Sequence, residues 1–222
     1  MSRREEAKAE RRRRIIAAAR ELIKETGDTG LSMRAIAARA GVSLTTPYNL
    51  FGSKRAIVIA LLEDVREFHE RFSQLHRVGA VERIFQAVSI TLAYLADDPD
   101  FYRTLWTEAL RFDSKELRGE LQSPQRYGFW WALLNEARGE GALLADVDLD
   151  PLLRALDAVY VAAMLAWVLG AIEAQEIEAH VCYGYALALR GAASGDHAAT
   201  LEKKLIGYQT ELQRLRTKAA AA

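Results

Sequence analysis

Cysteine, proline and long apolar runs are scarce in this sequence, which has one cysteine and four prolines in 222 residues. The lone Cys182 excludes a disulfide within the chain and a cysteine cluster for a metal, and it fits a reducing compartment. The longest apolar run, residues 158–172, has 15 residues, fewer than the roughly 20 that span a bilayer. The charged N-terminal segment MSRREEAKAERRRR lacks the apolar stretch of an export signal. We therefore expect a cytoplasmic protein with no membrane partner, in which the apolar run is a buried helix.

The motifs of the common enzyme classes are also missing. None of the four histidines stands four residues from another, as a helical zinc site would require. The sequence has neither a glycine-rich phosphate loop nor a Gly-x-Ser-x-Gly motif. These absences predict a binding protein, not an enzyme, with no cofactor and no metal site.

Charge is balanced over the whole chain but unevenly distributed along it. Residues 1–60 contain 13 Lys and Arg against 6 Asp and Glu, whereas residues 61–222 contain 17 against 24. A basic segment on an acidic remainder indicates a polyanionic partner for that segment alone. On composition alone, a solvated basic helix explains the asymmetry equally well.

Hydrophobic spacing within the basic segment predicts a first helix from about Glu5 to Glu25, ended by Gly27. A second helix is expected from Met33 to Ala40, with Gly41 ending it in a left-handed conformation. Its start has three parts. Ser32 caps the helix, and the apolar side chains of Leu31 and Ile36 pack against each other across the cap.

A third helix follows Gly41 within a few residues. If Ser43 caps it, Pro47 is its fourth residue and forfeits one terminal hydrogen bond, with its ring facing the core. Two short helices joined by a glycine-containing turn form a helix-turn-helix, whose second helix enters the major groove of DNA. We expect the outward side chains of this helix to contact base edges and phosphates. They are Leu44, Thr45, Thr46, Tyr48 and Asn49.

The next predicted helix begins with two cations. Ser53 caps it, and Lys54 and Arg55 occupy its first positions, where positive charge opposes the helix dipole. A DNA phosphate at this helix start would compensate the charge. Two solvated side chains are the alternative.

The stretch SMRAIAARAGVSLTTPYNLFGSKRAIV resembles the DNA-binding domain of the TetR/AcrR transcriptional regulators. The resemblance covers about residues 10–60 and departs from the family pattern at Pro47 and Leu50. It implies phosphate contacts from Tyr48 and Lys54, with Ser32 and Ser43 near the DNA backbone. With Arg34 and the outward residues of the third helix, these complete the predicted DNA-binding set. An arginine-rich arm is expected to add backbone or minor-groove contacts; its members are Arg3, Arg4 and Arg11–Arg14.

For the rest of the chain the resemblance implies an all-helical ligand-binding and dimerisation domain. The all-α prediction comprises a DNA-binding domain at residues 1–56, a ligand-binding and dimerisation domain at 57–195, and an extra C-terminal segment at 196–222. Helical patterns follow at residues 54–75, 81–96, 99–112, 114–137, 151–172 with Asp150 as cap, and 177–192.

Nine of the 19 aromatic residues fall within residues 94–131. Together with residues of the apolar run, some of them could line a cavity for an apolar or aromatic effector, although aromatic side chains at helical spacing are more often core. The predicted ligand-binding residues are Phe101, Leu105, Trp106, Phe129, Trp130, Met164 and Trp167. On the same segment, Arg103, Glu108 and Arg111 either orient a polar group of the ligand or form a solvated face.

The C-terminal segment carries a heptad seam after a linker, GAASGDH, which is expected to be flexible. The seam comprises Leu201, Leu205, Tyr208, Leu212 and Leu215. This helix packs either onto its own domain or across the dimer, and we expect it to buttress the dimer.

Together these patterns predict a homodimeric repressor that binds an inverted-repeat DNA operator and is released by a small apolar or aromatic effector. A ligand-gated adaptor that has lost DNA binding is the alternative. Arg34, Tyr48 and Lys54 argue against it.

Overall fold

The computed structural model of the chain describes residues 3–30, 32–63, 72–73, 78–111 and 124–220. Within these ranges the regular structure is helical, apart from one antiparallel bridge between Leu143 and Ala193. The predicted all-α fold class is confirmed. The helices are α1 (Arg3–Thr26), α2 (Met33–Arg39), α3 (Thr45–Phe51), α4 (Lys54–Glu63), α5 (Ala80–Asp97), α6 (Pro99–Leu110), α7 (Pro124–Gly139), α8 (Leu149–Val168), α9 (Ile177–Ala192) and α10 (Gly195–Ala220), with a 3-10 turn at Ala174–Glu176.

Two compact units make up the chain, and neither is continuous in sequence. Unit 1 comprises residues 1–65 and 98–120, and unit 2 comprises residues 66–97 and 121–222. Among the described helices, unit 1 therefore contains α1–α4 and α6, and unit 2 contains α5 and α7–α10. The predicted boundaries at residues 56 and 195 placed α6 in the second domain, because a division along the chain does not detect which helices pack together.

Unit 1 is built around α1, which packs against α2, α3 and α4, while α6 covers α4. The apolar stripe of α1 is buried, as its spacing predicted; its buried members are Ile15, Ile16, Ala18, Ala19 and Ile23. The ring of Phe101 on α6 lies against α1, 5.0 Å from the Arg20 guanidinium and 5.5 Å from the Lys24 ammonium. Asp98 caps α6 and pairs with Lys24. These contacts place α6 in the same unit as the basic helices.

In unit 2, α9 packs against α8, α10 and α5, and α7 packs against α5 and α8. Large buried side chains form its core, among them Phe85, Leu134, Trp167 and Tyr185. Helices α8 and α9 approach closely at Gly184, where an added Cβ would lie 2.5 Å from a methyl group of Val159. The absence of a side chain at this position permits the approach.

The start and end of α8 differ from the prediction. Asp148, not Asp150, is the N-cap, and its carboxylate accepts a hydrogen bond from the Asp150 amide at 3.0 Å. The helix begins earlier because Leu149 is buried in the core of unit 2. It stops at Val168, before the predicted residue 172, because Gly170 turns the chain with φ near +73°.

Helix α8 is long and apolar enough to cross a membrane by length and composition, a test that core helices of soluble proteins also pass. Its charged residues form ion pairs within unit 2. Asp157 accepts a hydrogen bond from Arg126 of α7 at 3.0 Å, and Arg154 bonds to Asp150 at 2.9 Å. These pairs favour a packed helix.

The C-terminal helix α10 packs on its own unit. Leu201, Leu212 and Leu215 of the heptad seam are buried, and the Tyr208 ring stacks on Phe85 of α5 with centroids 5.9 Å apart. The predicted flexible linker is wrong in its extent, because α9 continues to Ala192 and α10 begins at Gly195. The Leu144 amide bonds to the Ala192 carbonyl and the Ser194 amide to the Ala142 carbonyl, which ties down the short connection.

Three predicted features fall wholly or partly outside the described residues. Leu31, one partner of the apolar contact across the Ser32 cap, is one of them. The long fourth helix is described as far as Glu63, and the helix predicted at residues 114–137 is described from Pro124.

Candidate DNA-binding surface

The turn between α2 and α3 has the predicted geometry. The Ser32 hydroxyl accepts a hydrogen bond from the Ala35 amide at 3.1 Å, so it caps α2 as expected. Gly41 has φ near +62°, and the Val42 amide bonds to the Ala37 carbonyl at 3.0 Å. A left-handed glycine at this position lets the chain leave α2 sharply. The result is two seven-residue helices joined by a short turn.

The start of α3 corrects the predicted cap. Leu44, not Ser43, is the N-cap, and it makes no side-chain capping bond. The Ser43 hydroxyl instead bonds to the hydroxyls of Thr45 at 3.1 Å and Thr46 at 2.8 Å. Hydroxyl groups two and three residues away compete here with the helix amides for the serine oxygen.

This start explains why a short helix tolerates Pro47. Proline is the third residue of α3, because the helix begins at Thr45. The amides of the first three helical residues have no partner within a helix, so Pro47 forfeits no helical hydrogen bond. The predicted loss of one bond was wrong. The ring is buried, as expected.

The outward face of α3 presents most of the predicted DNA contacts to solvent. Leu44 is 44% exposed and Tyr48 is 51% exposed, which is unusual for side chains of this size. Thr45 and Asn49 are exposed beside them, whereas Thr46 is half-buried and bonded to Ser43. Arg34 is exposed on α2.

Three arginines of the predicted arm bind the protein itself, and Arg13 does so through the Glu10 carboxylate on its own helix. The arm is helical from Arg3 onward, as the first part of α1. The Arg12 guanidinium lies 4.2 Å from the centroid of the Phe51 ring and donates to the Leu50 carbonyl at 3.2 Å, at the C-terminal end of α3. Arg14 donates to the Gly41 carbonyl at 3.5 Å. Cations at the ends of α3 and of the turn satisfy carbonyls that have no helical partner.

A charged pair holds α2 to α1. The Arg39 guanidinium binds both oxygens of the Glu25 carboxylate at 2.8 Å and one oxygen of Glu21 at 3.4 Å. The hydrogen bond from Arg39 lowers the pKa of the Glu25 carboxyl below its usual value. Because both side chains are open to solvent, screening keeps the contribution of this pair to stability small.

The N-terminus of α4 has the predicted cap and the predicted cations. The Ser53 hydroxyl accepts from the Ala56 amide at 3.2 Å, and Lys54 and Arg55 are the first two residues of the helix. The Lys54 ammonium donates to the Thr29 carbonyl at 3.0 Å and lies 3.8 Å from a carboxylate oxygen of Glu108 on α6. Because Lys54 and Glu108 lie far apart in the sequence, no local pattern predicted this pairing.

Comparison with known proteins agrees with this geometry. Residues 15–61 match the family model described as bacterial regulatory proteins, tetR family. Residues 15–61 thus form a domain of the tetR family. The predicted resemblance is thereby confirmed for the segment that contains α2, α3 and the start of α4.

The chain resembles a known protein at low identity over half its length. It is 26% identical over 116 residues to the nucleoid occlusion factor SlmA of a Marinomonas strain, a match that spans 50% of this chain and 58% of that protein. The chain thus spans less than two thirds of that relative.

Two solved structures share the fold. The TetR regulator TylP of Streptomyces fradiae matches with a TM-score of 0.63 at 22% identity, over 95% of this chain and 94% of that one. The TetR-family repressor FadR of Thermus thermophilus, in complex with lauroyl-CoA, matches with a TM-score of 0.64 at 23% identity, over 83% of this chain and 96% of that one.

Outside the segment that matches the family model, the predicted ligand residues fall into two groups. Phe101, Leu105 and Trp106 lie in unit 1, where all three are buried. Phe129, Trp130, Met164 and Trp167 lie in unit 2.

Phe129 and Trp130 belong to a cluster of aromatic side chains, whereas Met164 and Trp167 are buried on α8 of the same unit. Trp130 makes edge contacts with Phe129 at 5.4 Å and Tyr185 at 6.2 Å between ring centroids. Arg126 lies 5.1 Å from the Tyr160 ring and pairs with Asp157. Burial raises the pKa of the Asp157 carboxyl, against the opposing effect of Arg126. The cluster thus combines an apolar body with one partly buried ion pair.

Proposed function

We propose that this chain is a ligand-responsive transcriptional regulator that binds double-stranded DNA through α2–α4. The observation that carries the proposal is the outward face of α3, where Leu44, Thr45, Tyr48 and Asn49 are exposed. This face lies in unit 1, whose first 60 residues carry a net positive charge. A helix with this exposure is suited to the major groove, where hydroxyl and amide groups bond to base edges and apolar groups contact thymine methyls. Ser32, Arg34, Ser43, Thr46 and Lys54 complete the proposed contact set.

The arm is divided between two roles in this proposal. Arg12 and Arg14 hold the ends of α3 and of the turn, so they position the recognition helix. Arg3, Arg4 and Arg11 are exposed on the first turns of α1 and are proposed to contact the DNA backbone.

We propose that the chain acts as a homodimer. Helix α8 and the residue that follows it carry exposed apolar residues at alternating intervals of three and four; they are Ala155, Ala158, Ala162, Leu165 and Leu169. A stripe with this spacing is suited to helix packing against a second copy. The seam of α10 is buried within the protomer, so α10 would support a dimer through the unit on which it packs. Recognition helices of a dimer about 34 to 36 Å apart would bind an inverted repeat.

The effector is proposed to be a small molecule with an apolar or aromatic body. The aromatic contact of Phe129 with Trp130, and the buried Met164 and Trp167 in the same unit, support this. Binding sites for such molecules are lined by apolar and aromatic groups with few polar ones. A structurally similar FadR is in complex with lauroyl-CoA, whose acyl chain is apolar. Phe101, Leu105 and Trp106 stay predictions as ligand contacts.

In this proposal the protein is a cytoplasmic repressor and not an enzyme. The effector must bind the DNA-incompetent conformer more tightly than the competent one, and a coupling of about 1 to 3 kcal/mol is usual.

Selection of bound duplexes from a random DNA pool, at about 50 and 200 mM salt, tests the proposal. Enrichment of an inverted repeat at both salt concentrations is expected. Asn49→Ala should relax the selected sequence at one position of each half-site, whereas Gln213→Ala, an exposed amide on α10, should leave it unchanged. Binding that is lost with salt and enriches no sequence would overturn the proposal and favour the ligand-gated adaptor.

A further inference from the structure

The Lys54 side chain is held by two acceptors within unit 1. Its ammonium donates to the Thr29 carbonyl at 3.0 Å, and Thr29 is itself buried. The second acceptor is Glu108 of α6, with a carboxylate oxygen 3.8 Å away. The Lys54 side chain is 33% exposed, so solvent reaches part of it. The Glu108 carboxylate compensates the charge of its ammonium group.

Glu108 is well placed to act on Lys54. Its side chain is 17% exposed, because α6 packs against α4. A second cation, Arg111, lies 3.6 Å from its other oxygen, but Arg111 is 75% exposed and its attraction is strongly screened. Partial burial makes the attraction between Glu108 and Lys54 larger than that of an exposed pair at the same distance.

A DNA phosphate at the start of α4 would compete for the same ammonium group. Each phosphate that a cation neutralises releases counterions and adds about 0.9 to the slope of log affinity against log salt. A lysine whose charge is already compensated by a carboxylate contributes less to that slope, since its own counterion is part of the protein.

We propose that Glu108 is a positioning residue that restrains Lys54 and thereby weakens its contact with DNA phosphate. The inference rests on the proposed DNA binding and deepens it, because it makes the electrostatic strength of the DNA contact depend on α6.

The test measures affinity of the full chain for its selected duplex over a range of salt concentrations. Glu108→Gln keeps the shape of the side chain and removes its charge. It is expected to tighten binding several-fold at low salt and to steepen the salt slope by up to about 0.9. Asp100→Asn is the matched control, because it removes the same charge from the same helix about 12 Å away along its axis. The control is expected to leave the slope unchanged.

A double-mutant cycle with Lys54→Gln separates competition for Lys54 from a general effect of charge. Lys54→Gln alone should weaken binding and flatten the slope, and adding Glu108→Gln should then change neither. Equal tightening by Glu108→Gln in both backgrounds would overturn the inference, as would weaker binding in Glu108→Gln.

The two proposals fail in different ways. If the unaltered chain enriches no duplex, DNA binding itself fails. If the unaltered chain binds its duplex and Glu108→Gln matches it in affinity and slope, this inference alone fails.

Discussion

Helices α2–α4 and helices α8–α10 are stabilised by different means. The first group consists of helices of seven, seven and ten residues, held by the Ser32 and Ser53 caps, by a left-handed glycine and by arginines at the helix ends. The second consists of helices of 20, 16 and 26 residues that bury large side chains against one another. Short helices are marginal by themselves, so local bonds determine where they start and stop.

Helices α3 and α10 also differ in whether their apolar side chains are exposed. At α3, which is only two turns long, the N-cap residue Leu44 and the helical residue Tyr48 are both exposed. On α10, Leu212 and Leu215 of the seam are buried against α9, and Tyr208 stacks on Phe85 of α5. The exposed residues of α10 are mainly polar. The outward face of α3 is therefore available for a partner, whereas packing within unit 2 takes up the apolar seam of α10.

The largest effect should come from removing a seam residue of α10. Leu201 is fully buried, and Leu201→Ala is expected to lower the free energy of unfolding by about 2 to 5 kcal/mol. Ile206→Ala on the same helix is the control, since Ile206 is 55% exposed and should cost less than about 1 kcal/mol. Urea unfolding followed by circular dichroism measures both. Equal losses for the two variants would show that α10 is not held by its seam.

A smaller effect is expected where α8 and α9 approach each other. The added methyl group of Gly184→Ala would lie 2.5 Å from a Val159 methyl, and the stiff valine cannot rotate away easily. We expect a loss of about 1 to 3 kcal/mol in the free energy of unfolding. Val159→Ala should rescue part of this loss in the double variant, and full additivity of the two substitutions would contradict the proposed contact.

The caps of α2 and α3 should differ in their importance. Ser32→Ala removes a hydrogen bond to the Ala35 amide and should cost about 1 kcal/mol. Ser43→Ala removes only bonds to two threonine hydroxyls at an exposed position and should cost less than about 0.5 kcal/mol. Thermal unfolding of both variants provides the measurement. A larger loss for Ser43→Ala would restore it as the cap of α3.

The smallest expected effect is a fall in the free energy of unfolding of unit 2 at alkaline pH. Burial raises the pKa of the Cys182 thiol to about 12, although a bond with Tyr208 opposes the rise. The unfolded chain loses this proton above about pH 8.5 while the folded chain keeps it, so the free energy of unfolding falls as pH rises. Between about pH 7.5 and 9 the fall should stay below about 1 kcal/mol.

Cys182→Ala should remove that part of the pH dependence. Burial also raises the pKa values of Tyr185 and Tyr208, so a further fall above about pH 10 should remain in the variant. Urea midpoints at the two lower pH values test this. An unchanged difference in the variant would mean that another group titrates there.

Sequence patterns located the helix-turn-helix closely. Ser32, Gly41 and Ser53 have the roles predicted for them, because caps and glycine turns depend on residues within one or two turns. The predicted cap at Ser43 failed because two neighbouring threonine hydroxyls take its hydroxyl group. The predicted cap at Asp150 failed because burial of Leu149 extends α8 by two residues.

The partners of charged side chains were harder to predict. Lys54 was expected to face phosphate, and the geometry adds Thr29 and Glu108 as its acceptors. Arg12 and Arg14 were expected to face DNA, and they bind carbonyls of the turn and of α3. Nothing in the local pattern signals these contacts, since the paired residues are 25 or more positions apart.

The sequence by itself determined the helical fold class, the helix-turn-helix and all of its predicted outward residues except Thr46, because each depends on periodicity and on bonds between near neighbours. Only the tertiary structure decided that α6 belongs with the basic helices, that the seam of α10 packs within its own unit, and that Glu108 faces Lys54. These features depend on contacts between segments distant along the chain. Such contacts are selected by burial and charge in three dimensions, and one-dimensional spacing does not encode them.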